Sequence, residues 1–271
     1  MDLLLPLAVK FRRGENSDLL RLELLLRSVE AFWTGGDTLR IVTPDVPEVT
    51  AEVARLRPKL RVVIHSDDEV FGTLVVKTGH WFRQQILKLA AHRVVESDFY
   101  LVLDADCFFV RPTSVDDLVP GGRGRVSYGK GIQDQAHSKG EWYSGCRKLG
   151  LQVPRTRVNM TPFVMHRQLA ADAVECVQGR LGSIAKLRWT EYTLYHALAV
   201  ERGTWDAHHV EGVPLLGNEV WTGNRLRGWD PAKCFVAGDF HLSLVQSATG
   251  MSAAWVRSRV LPHIDKALQQ R

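Results

Sequence analysis

Asp104 and Asp106 stand one residue apart in the segment Tyr100-Leu-Val-Leu-Asp104-Ala-Asp106-Cys-Phe-Phe, where an apolar run meets two carboxylates. In a continuing strand, residues two apart point to one face. In a turn they can converge on one cation directly or through water. Hard divalent cations prefer carboxylate oxygens, and Mg²⁺ or Mn²⁺ then bridges to phosphate oxygens. Cleaving a sugar–phosphate bond leaves a nucleoside diphosphate whose growing charge such an ion stabilises. On this reading Asp106 takes the metal, and Asp104 takes the nucleoside ribose or a metal-bound water. The same spacing also occurs where two aspartates cap a turn. Phosphatases of the haloacid-dehalogenase type place Thr or Val where Phe108 stands, and their motif opens the fold. Lesion-bypass DNA polymerases carry a similar motif near the chain start, whereas here several elements precede it.

Other residue types invite chemistry. Glu191 follows Trp189-Thr190 and precedes Tyr192 and Tyr195. A carboxylate there can take an acceptor proton or stabilise an oxocarbenium-like sugar; a first-turn Glu is also favoured by the helix dipole alone. Gln85 and Lys88 lie three apart on one helix and share a face, with Arg83 pointing elsewhere; a surface lysine beside an apolar stripe has the same pattern. His208 and His209 are adjacent, so in extended chain their rings diverge and cannot easily share an ion. Trp189 or Trp221 could stack on a sugar, although core packing is the commoner fate of Trp.

The elements that must position these residues alternate. Leu3 to Val9, Thr38 to Thr43, Leu60 to His65 and Asp98 to Leu103 read as strands. Asp18 to Trp33, with Asp18 as cap, Pro47 to Leu56 and Gly79 to Val95 read as helices between them. That alternation implies a mostly parallel sheet with helices on both faces. Ligands of such sheets bind beyond the carboxyl ends of the strands, where Asp104 and Asp106 fall. After Pro112 the pattern loosens. A short strand is expected within Gly121 to Gly131, and a loop with helical turns over Gln133 to Leu149. Asn159 to His166 reads as a strand, Gln168 to Gly179 and Thr190 to Glu201 as helices, Cys234 to Val245 as strand, and Ser252 as the start of a last helix.

The 271 residues are 45% hydrophobic, enough for a sizeable core. The balance of 35 basic and 30 acidic residues, net +5, comes without a basic tail, which argues against nucleic acid. Its densest cluster is Arg147, Lys148, Arg155 and Arg157, either a solvated surface or a cleft rim drawing in an anion. Cys107, Cys146, Cys176 and Cys234 form no C-x-x-C motif, so reduced thiols and a cytoplasmic setting are expected. The apolar N-terminal run is too short for a secretory signal, and no uninterrupted apolar run approaches membrane-spanning length.

The segments PLAVKF, GHWFRQQILKLAA, YLVLDADCFFVRP, NMTPFVMHR, WTEYTLYHAL and FHLSLVQSATG span Pro6 to Gly250. In this order they resemble glycosyltransferases of the GT-A fold, and most of all a family of bacterial glycosyltransferase-like proteins. The resemblance implies an α/β, Rossmann-like fold with a mixed, mostly parallel sheet, and a metal-dependent transfer of sugar from a UDP- or GDP-linked donor to a glycan or small-molecule acceptor. It makes Asp104 and Asp106 the D-x-D pair. It places His241 where related retaining enzymes supply a third metal ligand, which leans the ion toward Mn²⁺ over Mg²⁺; the Gly-x-Lys element that follows this His in some relatives is absent. It sets Lys88 and Gln85 beside the donor and turns Asn159 toward the sugar. Glu191 and Asp106 are then the catalytic candidates. A single domain is expected, with a nucleotide half over 1–112 and an acceptor half over 113–271, and a homo-oligomer is compatible with it. The rival readings are a nucleotidyltransferase that makes nucleotide-sugars, although VKFRRGENSDLL lacks that class's repeated glycines, and an idle relative that binds sugar or nucleotide without turnover.

Overall fold

A computed structural model describes residues 1–9, 11–12, 15–36, 38–74, 79–129, 140–154, 156–184, 186–223, 228–236 and 238–270. Its centre is a five-stranded sheet ordered Phe163–His166, Phe99–Val102, Asp2–Pro6, Thr38–Thr43 and Arg61–Ser66. All neighbours are parallel except Phe163–His166, which runs antiparallel to Phe99–Val102 with Phe163 opposite Val102. This is the mostly parallel sheet that the alternation implies, mixed at one edge as the resemblance implies.

Side-chain alternation divides the core between the two faces of the sheet. Leu4, Val42, Tyr100, Val102 and Met165 belong to one cluster, with the helices His80–Ala90, Arg167–Val177 and Glu191–Glu201. Leu3, Leu5, Ile41, Leu101 and Val164 belong to the other, with the helices Ser17–Phe32 and Ala253–Gln269. Those last two helices are also tied by Arg257 to Glu23 at 2.7 Å and Arg27 to Asp265 at 2.6 Å. Both faces of the central strands are therefore buried, which is why they read as continuous apolar runs.

Several boundaries differ from the sequence reading for local reasons. The first strand stops at Pro6, after which the Val9 amide turns to Asp45 Oδ2 at 2.7 Å. Helix Ser17–Phe32 starts one residue early, so Asp18 sits in its first turn rather than capping it. The strand expected from Asn159 is confined to Phe163–His166, beyond Pro162, which has no amide proton for a ladder. Cys234 ends a short 3₁₀ turn, Pro231–Cys234, and only Leu242–Leu244 is strand. The short strand Gly124–Val126 forms as expected. The loop expected over Gln133 to Leu149 is described only from Gly140, with Arg155 of the basic cluster also outside the described residues. All four cysteines are free thiols. Among the described residues no helix is long and apolar enough to cross a membrane.

Candidate active site

The strand Phe99–Val102 is still in the sheet at Leu103, whose amide donates to the Leu4 carbonyl at 2.8 Å. The chain then turns through Asp104-Ala105-Asp106, closed by Cys107 N–H to the Asp104 carbonyl at 2.9 Å. It leaves as the strand Cys107–Phe109, paired antiparallel with Leu242–Leu244. The two aspartates are thereby fixed beyond the carboxyl end of a parallel strand, at the mouth of a cleft of about 360 Å³. Asp104, Asp106, Gln85, Lys88 and Glu191 all line that cleft.

Lys88 binds these elements together. Its side chain is only 4% exposed, and its ammonium lies 3.0 Å from Asp104 Oδ1 and 2.9 Å from Glu191 Oε1. It also donates to Thr161 Oγ1 at 3.1 Å, so the three protons of the ammonium face three partners. Tyr192 OH stands 3.5 Å away and hydrogen-bonds Thr161 Oγ1. Gln85 Oε1 accepts the Glu191 amide at 3.4 Å. Burial alone would drive the Lys88 pKa down; Asp104 and then Glu191 outweigh it and hold the group well above its ordinary value. Burial pushes the Glu191 carboxyl up, and Lys88 opposes the push. Glu191 Oε2 is buried and has no hydrogen-bond partner among the described residues. A carboxylate oxygen left in that state is costly unless something supplies a donor or a cation.

Asp106 has a different guardian. Arg21, 3% exposed, reaches across from the helix Ser17–Phe32 to within 2.9 Å of Asp106 Oδ1. The same Nη1 donates to the Val245 carbonyl at 2.7 Å, and Ser247 N–H donates to Asp106 Oδ2 at 2.9 Å. Burial raises the Asp106 pKa, with Arg21 the main opposing influence.

Two expected residues lie elsewhere. His241 is opposite Val110, whose amide donates to its carbonyl, whereas the residue facing Asp106 is Val245. Four residues of strand put it roughly 13 Å away along the ladder. Its ring contacts Thr113 Oγ1 at 3.0 Å and Arg125 Nη1 at 3.5 Å, and burial lowers its pKa. The structure therefore does not bring His241 to the pair as a third ligand; Gln246 and Ser247 occupy that flank of the cleft. Asn159 lines an adjoining cavity, not the cleft that holds the two aspartates, and its amide nitrogen donates to Ser127 Oγ at 2.6 Å. Arg83 pairs with Asp67 at 2.5 Å, and both line the same cleft as Gln85 and Lys88, so the helical spacing does not carry Arg83 out of it. Trp189 is wholly buried against Phe82, while Trp221 lines both cavities. His208 stacks on His166 at 3.9 Å, while His209 packs inward on Trp205, so the adjacent rings diverge.

The carboxylates present are hard oxygen donors. A small divalent ion is commonly held by one or two carboxylates together with substrate phosphates and water, and Asp104 and Asp106 fit that manner of binding. Among the described residues no group of three His, Cys, Asp or Glu side chains could hold a metal by itself.

The chain belongs to the family DUF6492, a family of unknown function whose model matches residues 1–268. No curated protein matches it. Its fold is that of GT-A glycosyltransferases. Mouse xyloside xylosyltransferase 1 in its apo form superimposes with a TM-score of 0.54 at 14% identity, over 93% of this chain and 100% of that one. The galactosyltransferase LgtC, in complex with donor and acceptor sugar analogs, gives 0.57 at 13% identity, over 98% and 96%. The bifunctional glycosyltransferase WbbM in its apo form gives 0.62 at 10% identity, over 99% of this chain and 51% of that one. The present chain thus spans about half the length of WbbM.

Proposed function

We propose that this chain is a glycosyltransferase that takes a UDP- or GDP-linked sugar and uses Mg²⁺ or Mn²⁺ held by Asp104 and Asp106. The observation that carries the reading is the Asp104–Lys88–Glu191 ion chain, set in a cleft at the strand ends of a fold shared with glycosyltransferases. Residues 1–112 then supply most of the nucleotide side and 113–271 the acceptor side. The bound ion would neutralise charge on the departing diphosphate. Lys88 holds the Asp104 and Glu191 carboxylates fixed in place before substrate arrives. Glu191, which lines the cleft and whose Oε2 has no partner among the described residues, is the carboxylate assigned to the reacting sugar or the acceptor hydroxyl. Asn159 contributes from the adjoining cavity. Without His241 the donor set is all oxygen, which suits Mg²⁺ as well as Mn²⁺.

The test is calorimetric titration of UDP and GDP with and without each ion, in wild type and Asp104→Asn. Asp104 is the better target than Asp106, because truncating Asp106 strands the buried Arg21. Metal-dependent affinity for one nucleotide, weakened at least about tenfold in Asp104→Asn, is expected. Equal affinity with and without metal rejects the ion's role. Release of pyrophosphate instead of nucleoside diphosphate would mark a nucleotidyltransferase, and binding without any turnover an idle relative.

A further inference from the structure

Beside the cleft lies a larger cavity of about 630 Å³, within the range that holds a small ligand. The two meet at Met160, Thr161, Trp221 and Gln246, each of which lines both. Thr161, bonded to Lys88, marks the junction. The two spaces differ sharply in charge. Five carboxylates, Asp104, Asp106 and Glu191 among them, line the first against Arg83 and Lys88. The second presents Arg125 and Arg157 against a single carboxylate, Glu219. Arg125 donates to the Asp117 carbonyl at 3.0 Å, a neutral partner that leaves its charge uncompensated by that bond.

Uncharged polar groups here are largely engaged with one another. Asn159 Nδ2 is committed to Ser127 Oγ. Thr190 and Thr193 bond each other, and Thr193 Oγ1 also donates to the Trp142 carbonyl at 3.2 Å. Thr161, Thr222 and Gln246 add further polar groups, and much of the rest of the wall is apolar, including Trp142, Leu216 and Phe163. The rim is apolar too: Met160 is 46% exposed, and Val213, next to the lining residue Pro214, is 39% exposed. What distinguishes this wall is two guanidinium groups against one carboxylate, which suit an anion, beside a broad apolar surface.

We propose that this cavity is the acceptor subsite and that it takes an amphiphile, an anionic group gripped by Arg125 and Arg157 and joined to an apolar body lying on Trp142 and Trp221. Naming it the acceptor subsite rests on the glycosyltransferase reading; the binding preference does not.

The probe is hexyl phosphate, followed by tryptophan fluorescence, with hexanol and inorganic phosphate as partial ligands. Hexyl phosphate is expected to bind saturably and at least about tenfold more tightly than either fragment, since charge-assisted bonds and apolar burial both contribute. Arg157→Gln is expected to weaken it by a similar factor and Arg157→Lys by less. UDP with Mn²⁺ should not displace it. Hexanol binding as tightly as hexyl phosphate in the wild type overturns the proposal, as does displacement by UDP with Mn²⁺. Because UDP is titrated separately, loss of nucleotide binding would sink the donor reading and leave this result standing.

Discussion

Arg21 and Asp106 form a buried ion pair across 2.9 Å, joining the first helix to the turn that ends the fourth strand in the chain order of the central sheet. Arg21 shares its helix face with Leu25 and Ser28, both buried. A cation in that stripe is tolerable only because a carboxylate awaits it. Arg21→Met should therefore cost about 3 kcal/mol or more, as expected when one member of a buried pair is removed. Asp106→Asn in the Arg21→Met background should recover part of that loss. Urea denaturation of the single and double variants measures it. Additive losses would show that the pair is not coupled.

Lys88 serves two carboxylates at once, and Glu191 is the more deeply buried of the two. Glu191→Gln keeps an oxygen for the Lys88 ammonium and removes the charge offered by Oε2. On the proposed function it should lower kcat at least about a hundredfold, the scale on which positioned acid–base or electrostatic groups contribute. Metal-dependent nucleotide binding should stay within about threefold. Turnover and calorimetry on the same preparation decide it; unchanged kcat would remove Glu191 from the reaction.

The sheet, its strand-end carboxylates and the Lys88–Gln85 face were legible because each depends on local spacing. Periods of two and near 3.6 are visible in sequence, and they placed Asp104, Lys88 and Glu191 on elements that converge. The Arg21 partnership was hidden, since nothing local says which carboxylate a buried arginine will meet. Its signal was a charge inside an apolar stripe. His241 failed for the opposite reason. Its distance from Asp106 is set by the register of Leu242–Leu244 against Cys107–Phe109, and register between remote strands cannot be read from either alone. Thr161 gave no pattern at all, because its contact with Lys88 links positions far apart in the chain.

Thr190 caps the helix Glu191–Glu201, with Thr190 Oγ1 accepting the Thr193 amide and Thr193 Oγ1 accepting the Thr190 amide at 2.9 Å. The catalytic candidate is the first residue of that helix, so the cap sets where its carboxylate emerges. Thr190→Ala should cost about 1 kcal/mol of stability. Under the proposed function kcat should fall several-fold, with nucleotide affinity retained; Thr190→Ser should restore both. Loss of stability with full kcat would mean the cap supports the helix but not the carboxylate.

Acid should weaken the fold through two histidines remote from the aspartates. His196 bonds Tyr143 OH at 2.8 Å, and His209 bonds Tyr195 OH at 2.7 Å and the Gly124 carbonyl at 3.1 Å. Burial pushes both imidazoles down to about 3 from an ordinary 6.5. Below the ordinary value the unfolded chain takes up protons that the native chain refuses, so stability falls as pH drops through that window. Each group is expected to contribute about 1.4 kcal/mol per pH unit there. Between pH 6.5 and 5, above the range where most carboxylates titrate, the melting temperature should decline steeply. His209→Asn should start from a lower melting temperature, having lost the Tyr195 contact, but show a shallower decline. A slope identical to wild type would mean that His209 already carries its proton in the folded chain, and that the Tyr195 hydroxyl accepts from the ring rather than donating to it.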